Sequence, residues 1–313
     1  MNGFFPEGHL INEQDNKNYL FSKAGLEQAH QNGCLLEAKV IRCDENHNLI
    51  VDLHSMIGFM PREEVALGIK EGTTRDIAII SRVCKPVCFV IIDFQTDDNG
   101  HTHAIISRRI AQEICIENFI SHLIPGDIID AKVTHMENFG AFVDIGCGIV
   151  SFLPIDFISV SRILHPSERF KVGMEIKAII KSIFGGRLNL THKELLGTWE
   201  ENANYFHIGE TVSGIVRSIE DYGIFIELTP NLAGLAELKD NVFPGQHTSV
   251  YIKNIIPEKM KVKLVIIENF DNSNEINSPK YFFKDKHIDK FLYSPKSCPK
   301  IIETDFSLIT SRA

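Results

Sequence analysis

No apolar run in this chain approaches bilayer length, and its first residues, Met1-Asn2-Gly3-Phe4-Phe5-Pro6-Glu7, lack the basic start and sustained hydrophobic segment of a secretory signal. The sequence therefore predicts a cytoplasmic protein without a membrane partner. Positive charge is scarce: 32 lysines and arginines face 41 aspartates and glutamates, a formal net charge of −9. That balance argues against a protein that coats duplex DNA with a broad basic field, because such affinity comes from Lys and Arg neutralising phosphates. Single-strand binding stays open, since stacking on aromatic rings supplies part of its energy. The seven cysteines (Cys34, Cys43, Cys84, Cys88, Cys115, Cys147 and Cys298) are odd in number and scattered, without the two-residue-gap pairs of a metal site. They read as small thiols in a reducing compartment.

Catalytic signatures are missing too. There is no phosphate-cradling loop ending in Gly-Lys-Ser or Gly-Lys-Thr, no nucleophile elbow, and no paired histidine motif on a helix. Gly146-Cys147-Gly148 lies between two strands and reads as a loop. Asp97-Asp98-Asn99-Gly100-His101-Thr102-His103 holds potential ligands but reads first as a hairpin turn. The expectation is a protein that is not an enzyme, with no cofactor and no metal.

What is present is an ordinary globular composition, 44% hydrophobic and 23% charged, in a 313-residue chain long enough for two or more domains. A pattern also recurs. Gly33 is followed seven residues later by Val40, Gly126 by Val133 and Gly209 by Val216, each pair spanning an alternating segment of strand character. In the second and third copies the next strand repeats an order of aromatic, glycine, small or apolar residue and phenylalanine: Phe139-Gly140-Ala141-Phe142 and Tyr222-Gly223-Ile224-Phe225. Alternation puts Ala141, Val143 and Ile145 on one face and Phe142 with Asp144 on the other; Ile224, Ile226 and Leu228 oppose Phe225 with Glu227 in the same way. A large ring on the polar face asks for a flat partner, and a nucleic-acid base is one. Phe139 and Tyr222 could instead be core residues at a bulge. In the first copy, His47-Asn48-Leu49-Ile50-Val51-Asp52 keeps the strand but puts Ile50 where the phenylalanine stands.

After these strands come a third near Gly58, Gly148 or Gly234, a variable crossing, a glycine (Gly72, Gly173, Gly245), and two strands joined by turns at Asp98-Asn99-Gly100, Gly185-Gly186 or Pro257-Glu258. Five short strands per copy predict a mainly β chain of three tandem five-stranded OB-fold barrels joined by short helical linkers. The expected boundaries are a loose lead-in at 1–21, a degenerate first module at 22–109 with a helix running from Ser22 to about Gln31, a helical linker at 110–124, and a second module at 125–191. A second linker at 192–207, a third module at 208–270 and a tail at 271–313 follow. In the tail, Tyr281, Phe282, Phe283, Phe291 and Tyr293 alternate with lysines; this stretch either extends a nucleic-acid surface or folds back on the third module.

With these residues in view, Gly126–Lys193 and Gly209–Leu264 resemble the RNA-binding module repeated in bacterial ribosomal protein S-one. The matching features are the opening glycine, Phe139-Gly140-Ala141-Phe142-Val143, Gly148-Ile149-Val150, Gly173 and Arg187-Leu188-Asn189-Leu190-Thr191, with Ser159-Val160-Ser161-Arg162-Ile163 and Ile106-Ser107-Arg108-Arg109 resembling ribosomal protein S-one chains themselves. The resemblance implies an RNA-binding face made of Phe139, Phe142, Lys181 and Arg187, with Ser151 at the place of a usual third-strand histidine. In the third module it implies Tyr222, Phe225, Lys253 and Lys261, with Ala236 replacing that histidine. The implied partners are single-stranded RNA or mRNA and the small ribosomal subunit, in translation or RNA metabolism. The competing reading is a scaffold that docks to the ribosome or another protein, with RNA contact incidental.

Overall fold

The computed structural model describes residues 3–98, 100–270 and 278–307. Strands β1 (Leu36–Cys43), β2 (Leu49–Asp52), β3 (Ile57–Met60), β4 (Pro86–Thr96) and β5 (Thr102–Ser107) close a barrel in the order β1-β2-β3-β5-β4. A second barrel uses β6 (Ile128–Glu137), β7 (Gly140–Asp144), β8 (Val150–Pro154), β9 (Glu175–Phe184) and β10 (Arg187–Thr191). The third uses β11 (Thr211–Glu220), β12 (Gly223–Thr229), β13 (Leu232–Ala236), β14 (His247–Ile256) and β15 (Lys261–Phe270), in the same circular order as the first. In each barrel the third strand pairs in parallel with the fifth, and the fourth pairs antiparallel with the fifth. Alternation decides the interior: Val133, Ala141, Val143 and Leu153 are buried in the second barrel, and Val216, Ile224, Ile226 and Val250 in the third. Gly185 and Gly186, with φ of 56° and 74°, make the tight turn between β9 and β10 that their side-chain-free backbones allow. The corresponding turn of the first barrel was expected at Asp98-Asn99-Gly100; Asn99 lies outside the described residues.

The chain divides into two compact units, one running to Leu123 and including Asp144–Val150, the other made of Ile124–Val143 and the residues from Ser151 onward. In the first, α1 (Gln14–Leu20) and α2 (Lys23–Gln31) send Leu20, Leu26 and Ala29 into the core of the first barrel. The side chain of Ser22 accepts the Gly25 N–H as the cap of α2, and Gly33 follows the helix at a φ of 60°. A short α3 (Ile77–Ile80) fills the crossing before β4, and α4 (Arg108–Asn118), capped by Ser107, follows β5.

The lead-in is not loose. The Glu7 carboxylate is buried against Arg108 at 2.5 Å and Arg82 at 3.1 Å, and also accepts the Cys88 N–H. Burial pushes its pKa up, but the two guanidiniums and the hydrogen bonds outweigh that and hold it below the ordinary carboxylate value. Asn16 then exchanges two 2.9 Å hydrogen bonds with the Glu37 backbone, as a neighbouring strand would. Two polar residues of the lead-in, Glu7 and Asn16, are buried and tie it to the first barrel, while Asn12, Glu13, Gln14 and Asp15 stay exposed.

In the second unit, α5 (Trp199–Ala203), with a capping box at Thr198 and Glu201, places Trp199 at 2% exposure in the core of the third barrel. The tail folds back as one reading expected, onto more than the third barrel. Tyr281 Oη accepts the Lys177 N–H on β9 at 2.8 Å, the Ile128 N–H of β6 donates to Lys286 O, and Phe291, Tyr293 and Phe306 join the third barrel's core. The tail adds a two-stranded ribbon, β16 (Lys290–Leu292) with β17 (Glu303–Asp305). The expected linker Asp271-Asn272-Ser273-Asn274-Glu275 lies outside the described residues. Among the described residues no helix is long and apolar enough to cross a membrane.

Candidate nucleic-acid interface

Four rings meet on the outer face of the second barrel. Phe139, at the mouth of β7, is 58% exposed, and Phe142 stands edge-on to it at 6.3 Å and 89°. Phe152 comes up from β8, 5.6 Å from Phe139 and 5.3 Å from Phe142, while His135 of β6 stacks on Phe142 at 6.1 Å and 23°. Gly140 allows this crowding: a Cβ there would stand 2.4 Å from the Leu153 carbonyl oxygen and 2.6 Å from the Phe152 ring, so only a bare backbone passes. Beyond Phe152 in the ladder is Asn189 of β10, and exposed Arg187 is two residues along on the same face.

The third barrel repeats the pair. Tyr222 is 70% exposed and stands edge-on to Phe225 at 6.1 Å and 90°, and Gly223 passes the Ala236 carbonyl as Gly140 passes that of Leu153. Across the ladder from Phe225 come Leu235 and then Lys263, with Lys261 two residues along and exposed. Lys253 on β14 is exposed as well. In the first barrel the same row reads Ile50, Phe59, Ile105, and Phe59 meets His103 edge-on at 6.2 Å. That row keeps one aromatic, on the third strand rather than the second.

Three expectations need correction, at Ser151, Asp144 and Glu227. Ser151 does not face outward: it is buried, and its hydroxyl donates to Leu188 O at 2.8 Å. Ala236 is likewise buried. Asp144 does not share the wet face with Phe142; it is buried and accepts N–H bonds from Glu7 at 2.7 Å, Gly146 at 2.9 Å and Gly148 at 3.0 Å. Burial and the nearby Glu7 charge outweigh these bonds and raise its pKa to about 6. Glu227 is buried between Arg169 at 2.5 Å and Arg217 at 2.7 Å. Of the two readings of Phe139 and Tyr222, their exposure excludes the core residue at a bulge. Lys181 is held with its ammonium 3.2 Å from the centre of the Phe157 ring; burial and the neighbouring Lys193 lower its pKa.

The geometry is therefore a row of outward rings with cations at its edge, the arrangement on which bases stack while phosphates meet Lys and Arg. Residues 123–183 match the family described as the S1 RNA binding domain. The span that holds the ring cluster is thus similar to an S1 RNA binding domain. The matched span holds His135, Phe139, Phe142, Phe152 and Lys181. Over most of its length the chain is also similar to small ribosomal subunit protein bS1: 29% identical over 241 residues to that of Rhizobium meliloti, covering 71% of this chain and 41% of that protein. With that of Staphylococcus aureus strain COL it is 27% identical over 271 residues, covering 81% of this chain and 66% of that protein. The chain thus spans less than two thirds of the length of these S1 relatives. A crystal structure of a multidomain protein with nucleic acid binding domains from Streptococcus pneumoniae covers 78% of this chain and 76% of that one, at 13% identity and a TM-score of 0.26.

Proposed function

We propose that this chain is a non-enzymatic, cytoplasmic protein that binds single-stranded RNA, mRNA in particular, with weak sequence preference, in translation or RNA metabolism and with the small ribosomal subunit as a partner. The observation that carries this reading is the cluster Phe139, Phe142, Phe152 and His135 inside the span matched by the S1 domain. Stacking one base on a ring is worth about 1 to 3 kcal/mol and is indifferent to which base it is. Residues 125–191 and 208–270 serve as the two binding modules, and 22–109, whose row offers Ile50 and Ile105, serves an architectural or protein-contact role. Tandem modules matter because tethering makes binding of the second module intramolecular. The negative net charge fits affinity supplied by rings and a few edge cations (Arg187, Lys253, Lys261, Lys263) rather than by a basic field.

Photocrosslinking tests this. With a 4-thiouridine oligoribonucleotide, the expected crosslinked peptides contain Phe139–Phe152 and Tyr222–Leu235. Crosslinks confined to the first barrel would overturn it.

A further inference from the structure

A groove of about 480 Å³ opens beside the aromatic pair of the third barrel, exposed Tyr222 and half-buried Phe225. Its lining includes Tyr222 and Phe225, Arg162 from the loop after β8, and the tail residues Lys300 and Ile302. All of these belong to one compact unit. A single buried side chain ties the walls together. Asn231 Oδ1 accepts the Val160 N–H at 3.1 Å, its Nδ2 donates to Lys193 O and Gly197 O, and its backbone carbonyl accepts the Tyr293 hydroxyl at 2.7 Å. Ser161 N–H donates to Pro230 O, and Tyr293 N–H to Ile302 O. The loop and the tail are thus fixed in place before anything binds.

The charges in this groove divide into spent and available. Arg217, deeper in, is taken by Glu168 and Glu227. Arg162 and Lys300 are exposed and make neither a hydrogen bond nor an ion pair with any described residue. Glu220, exposed, is the acid among the lining residues. Two free cations lining one groove with exposed Tyr222 and half-buried Phe225 match a base joined to a phosphate, since rings take the base and cations the phosphate.

We propose that this groove is a composite nucleotide site: Tyr222 and Phe225 take a base, while Arg162 from the second barrel and Lys300 from the tail take the adjoining phosphate of the same RNA strand. It rests on the reading that the outward faces bind RNA, and adds that the third module's site is completed by residues outside it.

The test is fluorescence anisotropy of a fluorescein-labelled oligouridylate titrated with the full chain at rising salt. Compared with wild type are Arg162→Ala/Lys300→Ala, the charge-keeping Arg162→Lys/Lys300→Arg, and Phe142→Ala on the second barrel. The first variant should bind about tenfold more weakly at low salt, with a log-log salt slope shallower by about 1.4, which is about 0.7 for each of the two cations removed from the phosphates. The charge-keeping variant should retain both. If the first variant keeps wild-type affinity and slope while Phe142→Ala weakens binding, the groove is overturned and the RNA reading stands. If wild type does not bind the oligonucleotide, both fall.

Discussion

At the scale of the residue, one alternation decides which side chains face a ligand. In β8, Ser151 and Leu153 point into the barrel and Phe152 points out, so the third ring of the platform is Phe152. Phe152→Leu, which installs the residue the third barrel carries at Leu235, should weaken RNA binding fivefold or more, the low end of about 1 to 3 kcal/mol for a stacked base, with little change in melting temperature. Ser151→Ala should do the reverse: unchanged RNA affinity, and a stability loss of about 1 kcal/mol from leaving Leu188 O without its donor. Loss of RNA affinity in Ser151→Ala would contradict the register. The sequence made β8 legible as a strand but not its facing, because Val150-Ser151-Phe152-Leu153 is apolar on both parities, and a shift of one residue exchanges every side chain between faces. Asp144 and Glu227 were misplaced for another reason. Their partners, Glu7 and the arginines 169 and 217, lie elsewhere in the chain, where no local alternation reveals them.

At the scale of the element, the segment between the second and third barrels is more than a spacer. His192, at the end of β10, is 1% exposed; its Nδ1 lies 2.8 Å from Ile158 O and so carries the proton, which leaves Nε2 to accept from the Tyr281 hydroxyl of the tail at 3.3 Å. Burial lowers its pKa to about 4, outweighing the Ile158 hydrogen bond, which raises it, and the charge of Arg169 adds a smaller lowering. The folded pKa is thus depressed from 6.5, and the unfolded chain binds the proton first as pH falls. Its contribution to stability is complete above pH 6.5 and is lost as pH falls towards 4, about 3 kcal/mol in all. Urea denaturation followed by Trp199, the chain's single tryptophan and buried in the third barrel's core, should show this loss between pH 7 and pH 5. His192→Gln should flatten it; an equally steep loss in that variant would contradict the assignment. Among elements, the helix cap at Ser22 and the Gly185-Gly186 turn were legible because each is a local rule of backbone satisfaction. The ordering of residues 3–21 was not, because it depends on Arg82 and Arg108, distant in sequence.

At the scale of the whole molecule, three barrels of one topology present three different outward rows: Ile50-Phe59-Ile105, Phe142-Phe152-Asn189 and Phe225-Leu235-Lys263. The fold was legible because the glycine-to-valine spacing repeats three times, while the rows were not, because they join strands that are far apart in sequence. The gradation from an aliphatic row to an aromatic one to one ending in a cation gives a chain of net charge −9 local faces through which, on the proposed reading, it would engage a polyanion. The most direct test is the affinity of a fluorescent single-stranded oligoribonucleotide for the full chain, wild type against Phe142→Ala/Phe225→Ala, with Trp199 fluorescence reporting that the variant stays folded. Removing one stacking ring from each row predicts a loss of about thirtyfold or more at constant salt; equal affinities in a folded variant would contradict the aromatic faces as the seat of RNA binding.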